Sequence, residues 1–222
     1  EYLCSIAMEG LNIPTTEALA IVASDTDVYR EHVESGAIVT RVAKSHIRIG
    51  HFELFASRGQ TAEVKKLADF VIDHYYPQLK GKDSYLQLFK TVIHSTAVMI
   101  AHWQAQGFAH GVMNSDNMSI LGLTIDYGPF SFMETYNPSF ICNHSDHQGR
   151  YSFERQPSVA LWNLDRLANA IRSLIDETHL KDALAEYEGF LVKEYSALMR
   201  QKFGLVEVNE DDSKLVNDYL QL

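Results

Sequence analysis

Phe108-Ala-His-Gly-Val-Met-Asn-Ser-Asp-Asn-Met-Ser-Ile-Leu-Gly-Leu-Thr-Ile-Asp-Tyr-Gly128 is the stretch on which the reading of this chain turns. It opens a segment, 108–156, that is rich in Gly, Asn, Asp, His and aromatics and has no helical or alternating period. Long irregular segments held by regular ones are where chemistry tends to be placed. The polar residues come in a definite order: His110, then Asp116-Asn117, then Asp126 two residues ahead of Gly128. Between them Ser119–Leu121 and Leu123–Ile125 flank Gly122, which predicts a short β-hairpin.

Outward from this segment the signal is helical. Upstream, Asp83 stands ready to cap a helix whose stripe Leu86, Phe89, Ile93, Ala97 and Ile100 runs to Gln106, with Gly107 to end it. Before it, Val64, Leu67, Ala68, Val71, Ile72 and Tyr75 follow the i, i+3, i+4, i+7 pattern until Pro77. Downstream, Pro157 opens a helix over 158–175 with Leu161, Leu164, Leu167, Ala168, Ile171 and Leu174 on one face. One further helix is predicted over 180–203, ending at Gly204, and a last one from about Ser213 that is still apolar at Leu220 and Leu222. Near the start, residues 1–13 predict a short helix ending at Gly10. Ala18–Ser24 reads as a buried strand, and Gly36–Val42 as a second after the polar connector Asp25–Ser35. Ser45–Ala56 is ambiguous: Ser45 suits a helix cap, but Gly50 interrupts the run.

Composition narrows the function. The formal charge of −10 and the acidic stretch Glu207–Asp212 argue against a nucleic-acid partner, which needs a basic face to displace counterions. The longest apolar runs, Ala18–Ala23 and Ala97–Ala101, are too short to cross a bilayer. Two cysteines, Cys4 and Cys142, make no disulfide framework. Cys142, His144 and His147 beside Asp146 superficially suggest zinc. Their spacing fits no standard structural site, and a loop-shaping role is the better reading.

The order in 108–128 matches a kinase-type plan: a His-led loop after a long buried helix, an Asn seven residues after the His, and an Asp-x-Gly beyond a short hairpin. In that plan the Asn and the second Asp hold Mg²⁺ on phosphates, and a loop Asp orients the attacking hydroxyl. Asn117 and Asp126 supply the hard oxygens Mg²⁺ requires. The place of the usual base, two residues after the His, is Val112, which cannot accept a proton; Asp116 is the nearest carboxylate. The alternative for Asn114, Asp116 and Asn117 is simple turn closure.

The blocks Gly107–Phe130, Phe140–Phe153, Ile13-Pro-Thr-Thr16 and Arg41–Gly50 resemble the selenoprotein O family, kinase-fold protein adenylyltransferases. The resemblance implies an α+β, mainly α, protein-kinase-like fold. Residues 1–50 would be a remnant of the small lobe, and 51–222 the helical large lobe. It implies transfer of AMP from ATP, with Mg²⁺ or Mn²⁺, to Ser, Thr or Tyr hydroxyls of acceptor proteins. Asp116 would be the catalytic base, Asn117 and Asp126 the metal ligands, and Asp126 would also bind ATP through the metal. Arg41 and Arg48 would clamp the phosphates, a task suited to guanidinium forks. Glu1 would match the helix glutamate that pairs with a phosphate-binding lysine. That lysine and a Gly-rich loop lie upstream of Glu1 in the family, so the chain is expected to be a fragment cut at both ends, with impaired activity. Ile6 stands where the family usually has Glu, and Glu17 where it often has Arg. The location would be cytoplasmic in a bacterium and mitochondrial in a eukaryote. Two other functions remain open: a kinase-type phosphotransferase, which Val112 argues against, and a catalytically dead fragment that acts only in binding.

Overall fold

The helical periods are realised as eight helices among the described residues, 1–29 and 32–221, of a computed structural model. They are α1 (Tyr2–Gly10), α2 (Ile49–Ser57), α3 (Thr61–Tyr75), α4 (Ser84–Gln106), α5 (Gln156–Ile171), α6 (Glu177–Ala185), α7 (Tyr187–Phe203) and α8 (Asp212–Leu220). Two small antiparallel sheets accompany them, β1 (Glu17–Tyr29) with β2 (Val33–Val42), and β3 (Phe108–Ala109) with β4 (Ser131–Phe132). The class is α+β, mainly α. No helix among the described residues is long and apolar enough to cross a membrane.

The spine is α4, continuous over 23 residues. Its Phe89, Ile93, Ala97 and Ile100 are fully buried, and α5, α6 and α7 pack around it. Gly107 ends it in the left-handed conformation (φ 66°) that glycine adopts without a Cβ penalty. Asp83 does precede the first turn, but at φ 60° its side chain makes no capping bond. A smaller cluster, Ala105, Met199 and Val216, seats α8 through the partly buried Leu220; Leu222 lies outside the described residues.

Several expectations are corrected. The strand at Ala18–Ser24 is real but not buried: Leu19, Ile21 and Val22 are 54–67% exposed. β1 and β2 form a two-stranded ribbon, paired from Glu17↔Val42 to Tyr29↔Val33, and no third described strand covers it. Most of the supposed polar connector extends the strands; Arg30 and Glu31 within it lie outside the described residues. The single helix over 180–203 is two, broken at Glu186, whose N–H returns to Ala183 O (3.1 Å). The break turns Tyr187 inward, where its hydroxyl donates to Pro157 O (3.1 Å). Leu161, expected at the core face of α5, is 39% exposed, and Trp162 beside it is 41% exposed. Trp162 is a platform under Arg150 and Arg166, 4.8 and 5.4 Å from its ring centre.

The predicted hairpin at 119–125 is also different. Its two arms turn at Gly122 (φ 67°) but do not pair with each other as strands. Ser119 bridges to Arg48, and Thr124 bridges to Thr15. Each arm therefore ties the irregular segment to a different part of residues 13–48, which decides where the site residues meet.

Candidate active site

The loop after α4 is anchored from beneath. His110 is fully buried, stacked on Trp103 with ring centres 5.2 Å apart. Its Nε2 is 2.8 Å from Ile125 O, and its Nδ1 faces the Val112 N–H at 3.4 Å. These partners fix the neutral tautomer with the proton on Nε2. Burial pushes its pKa down, against the opposing pull of the Ile125 carbonyl, so the ring is a neutral strut. Gln156 completes the anchor, accepting from His110 N (2.9 Å) and donating to Phe108 O (2.9 Å). Asn163 donates to Met113 O (2.8 Å). Sequence reasoning missed both amides, because their partners are backbone atoms some fifty residues away that no local spacing reveals.

The His110 loop is backed by the 140–153 loop. Gly111 (φ 82°) is needed here, since a Cβ would meet Pro129 O and Cys142 Sγ. Asn143 donates to Gly111 O (3.1 Å), and Asp146 accepts from Arg150 N and Tyr151 N (2.9 and 2.8 Å). Cys142 and Asp146 thus shape this loop, while His144 and His147 are exposed. Burial raises the Cys142 pKa to about 11.

Ser115–Asn117 forms one 3₁₀ turn, which sets Asp116 at the exposed tip. Asn117 donates through its amide nitrogen to Val112 O (2.9 Å), leaving its carbonyl oxygen as the end available to a cation. Asp126 sits at φ 59°, a conformation uncommon outside glycine but tolerated by Asp, and Gly128 N bonds back to Asp126 O (2.9 Å). That turn presents its carboxylate outward.

Two arginines from the first fifty residues converge on that carboxylate. Arg41 Nη2 is 2.7 Å from Asp126 Oδ1, and Arg48 Nη1 is 2.5 Å from Oδ2. Arg41 also pairs with Glu1 (2.9 Å), and Arg48 also donates to Asp116 O (2.7 Å). The result is a chain of alternating charge, Glu1–Arg41–Asp126–Arg48, ending on the Asp116 main chain. The bend that permits it comes between β2 and α2. Ser45 does not cap the helix; its hydroxyl accepts from Ile47 N (3.1 Å), while Arg48 occupies the N-cap position in extended conformation. Ile47 O and Ile49 N then bond to Ile120 N and Met118 O (3.0 and 2.9 Å), which fixes Arg48 beside the Asp116 turn.

Gly50, which looked like a helix breaker, lies inside α2, because a Cβ there would run into the Asp116 carboxylate. No hydrogen bond reaches that carboxylate among the described residues. On the remaining side, Thr124 joins the 13–16 block to the core. Its hydroxyl accepts from Trp103 Nε1 (2.9 Å) and donates to Pro14 O (2.7 Å), while Tyr127 and Thr15 are hydrogen-bonded through their hydroxyls. A cleft of about 640 Å³ lined by Thr15, Val42, Lys44, Tyr76 and Leu123 touches none of the six candidate residues.

The resemblance expects Arg41 and Arg48 on phosphates; in the fold both meet the Asp126 carboxylate, beside the Asp116-Asn117 turn. The family model described as protein adenylyltransferase SelO matches residues 1–222. The chain belongs to the SelO family. Relatives named protein nucleotidyltransferase YdiU agree. That of Vibrio vulnificus CMCP6 is 57% identical over 218 residues, covering 98% of this chain and 44% of its own. That of Erwinia tasmaniensis is 54% identical over 223 residues, covering 100% and 47%. A Klebsiella pneumoniae relative is also 54% identical, covering 100% and 46%. The SelO chain described here therefore spans somewhat less than half the length of these relatives. The family is one of nucleotidyltransferases, which implies a nucleotide substrate.

Proposed function

We propose that the full-length SelO protein containing this chain transfers AMP from ATP to a Ser, Thr or Tyr hydroxyl of an acceptor protein. The observation that carries the reading is the convergence of Arg41 and Arg48 on Asp126 next to an unengaged Asp116 carboxylate. The guanidinium forks now bound to a carboxylate are of the kind that binds phosphate oxygens, and an incoming triphosphate would compete for them. Asp116 is the base: it takes the proton of the acceptor hydroxyl as that oxygen bonds to the α-phosphorus. The α–β bridging oxygen departs with its electron pair as pyrophosphate. Glu1 steadies Arg41, and would pair with a phosphate-binding lysine of the complete protein.

The donor set fits a hard divalent cation, since Asn117 offers an amide oxygen and Asp126 a carboxylate. These two residues would hold Mg²⁺ or Mn²⁺, whose contribution is neutralisation of phosphate charge. The fold that best accounts for the order of elements is protein-kinase-like, with 1–50 from the small lobe and 51–222 forming the large one. Bacterial relatives and acidic composition favour a cytoplasmic enzyme without a nucleic-acid or membrane partner. A positioned base contributes about 10²–10⁴-fold to rate. Asp116→Ala in the full-length protein is therefore expected to lose at least about a hundredfold in AMP transfer while still binding ATP; undiminished transfer would remove Asp116 from the mechanism.

A further inference from the structure

Of the six candidate residues, Asp116 also lines a second space among the described residues. Its carbonyl faces Arg48 and the Asp126 side, whereas the residue also edges a cleft of about 990 Å³ between α2, the 115–116 turn and the C-terminal half of α5. That volume lies at the top of the range of about 300–1,000 Å³ typical of ligand sites. Glu53 comes from the α2 wall, and Arg166 and Arg172 from the α5 side. Arg166 lies over the Trp162 ring (5.4 Å) and pairs with Asp165 through Nη2 (2.7 Å), but its Nε is buried without a partner among the described residues. Arg172 is exposed and makes no ion pair among the described residues.

We propose that this cleft is the acceptor groove, and that it takes an extended segment of protein carrying Asp or Glu close to the modified hydroxyl. The proposal rests on the AMP-transfer reading and adds the acceptor's chemistry to it. The phosphate-binding forks Arg41 and Arg48 lie on the Asp126 side of Asp116, so the hydroxyl arrives from the other side, where this cleft opens. In the groove the acceptor O–H gives its proton to Asp116, its oxygen bonds to the α-phosphorus, and pyrophosphate leaves with the electron pair. Arg166 is already paired with Asp165, so the donors left for a carboxylate side chain are its Nε and the Arg172 fork, which no described carboxylate pairs. Absence of a Cβ at Gly50 keeps the floor open where α2 passes the Asp116 side chain.

The test uses the full-length protein, α-labelled ATP and two synthetic peptide libraries centred on Ser, Thr or Tyr, one flanked by Asp and Glu, the other by Lys and Arg. The acidic library is expected to be labelled with about tenfold higher kcat/KM. Arg172→Glu is expected to bring that preference close to one, and the Arg166→Glu/Arg172→Glu pair to invert it, a gain for basic peptides that mere structural damage would not give. Equal labelling of both libraries by the wild-type protein, or a preference unchanged by Arg172→Glu, would overturn the proposal. So would a raised KM for ATP with peptide preference intact, which would make the cleft part of the nucleotide site. Absence of α-label transfer by the wild-type protein to either library and to itself would instead fail the function, and the groove with it.

Discussion

Gly50 shows how a single residue carries both a misreading and its correction. From the sequence it interrupts a helix; in the fold it stands inside α2 so that the Asp116 carboxylate can pass against the helix backbone. Gly50→Ala is therefore expected to separate stability from activity. Alanine favours a helix interior by roughly 0.5–1 kcal/mol, so the protein should fold. The displaced carboxylate should cost AMP transfer about 10²-fold, the size of effect a misplacement of about 1 Å can have. Thermal unfolding and label transfer on the same preparation check both halves. His110 gives a second prediction. Its pKa is depressed by burial, so the unfolded chain binds its proton more readily than the folded one. The stability it contributes is present above the unfolded value near 6.5 and is lost as pH falls below it. Tm should therefore drop between pH 7 and 5, and His110→Gln should flatten that part of the curve. His102, also depressed by burial, adds a loss of the same sign that the variant retains. An equally steep drop in the variant would assign the effect elsewhere.

At the scale of elements, the long helices were legible and the short connections were not. α3 and α4 end where the sequence says, because an apolar stripe and a terminal Pro or Gly are local signals. The arms on either side of Gly122 were not legible: their bridges go to Arg48 and Thr15, more than seventy and one hundred residues away in sequence, rather than to each other. The break at Glu186 carries no Gly or Pro, and Tyr187 just after it is buried. Exposure of the β1–β2 ribbon follows from what lies beside it, which a strand's own residues do not record. The Thr124 arm supports a prediction. Thr124→Val keeps the shape but leaves the fully buried Trp103 Nε1 without its acceptor. Stranding a buried donor costs about 1–3 kcal/mol, so a loss of about 2 kcal/mol is expected. For a chain of this size that lowers Tm by about 4–8 °C. Urea denaturation monitored by Trp fluorescence would read the same change as a shifted midpoint with an unaltered slope.

At the scale of the whole molecule, residues from opposite ends of the first 126 positions assemble one charged chain, Glu1–Arg41–Asp126–Arg48, beside Asp116. The identities of these residues were legible because the loop order and the family blocks single them out. Their meeting was not, because it depends on the bend between β2 and α2 and on two backbone bonds from Ile47 and Ile49 to the 118–120 arm. Nor did the sequence point to the cleft behind Asp116, whose walls come from α2 and α5, elements about one hundred residues apart. The proposed function turns on one point, that the phosphorus attacked is the α-phosphorus of ATP. The measurement that addresses it most directly incubates the full-length protein with acceptor protein and either α- or γ-labelled ATP, then counts label on protein. Label from the α position alone, with unlabelled protein and labelled pyrophosphate from the γ position, is the predicted result. Protein labelled from the γ position, with the α label left in solution, would contradict the account and make this enzyme a kinase.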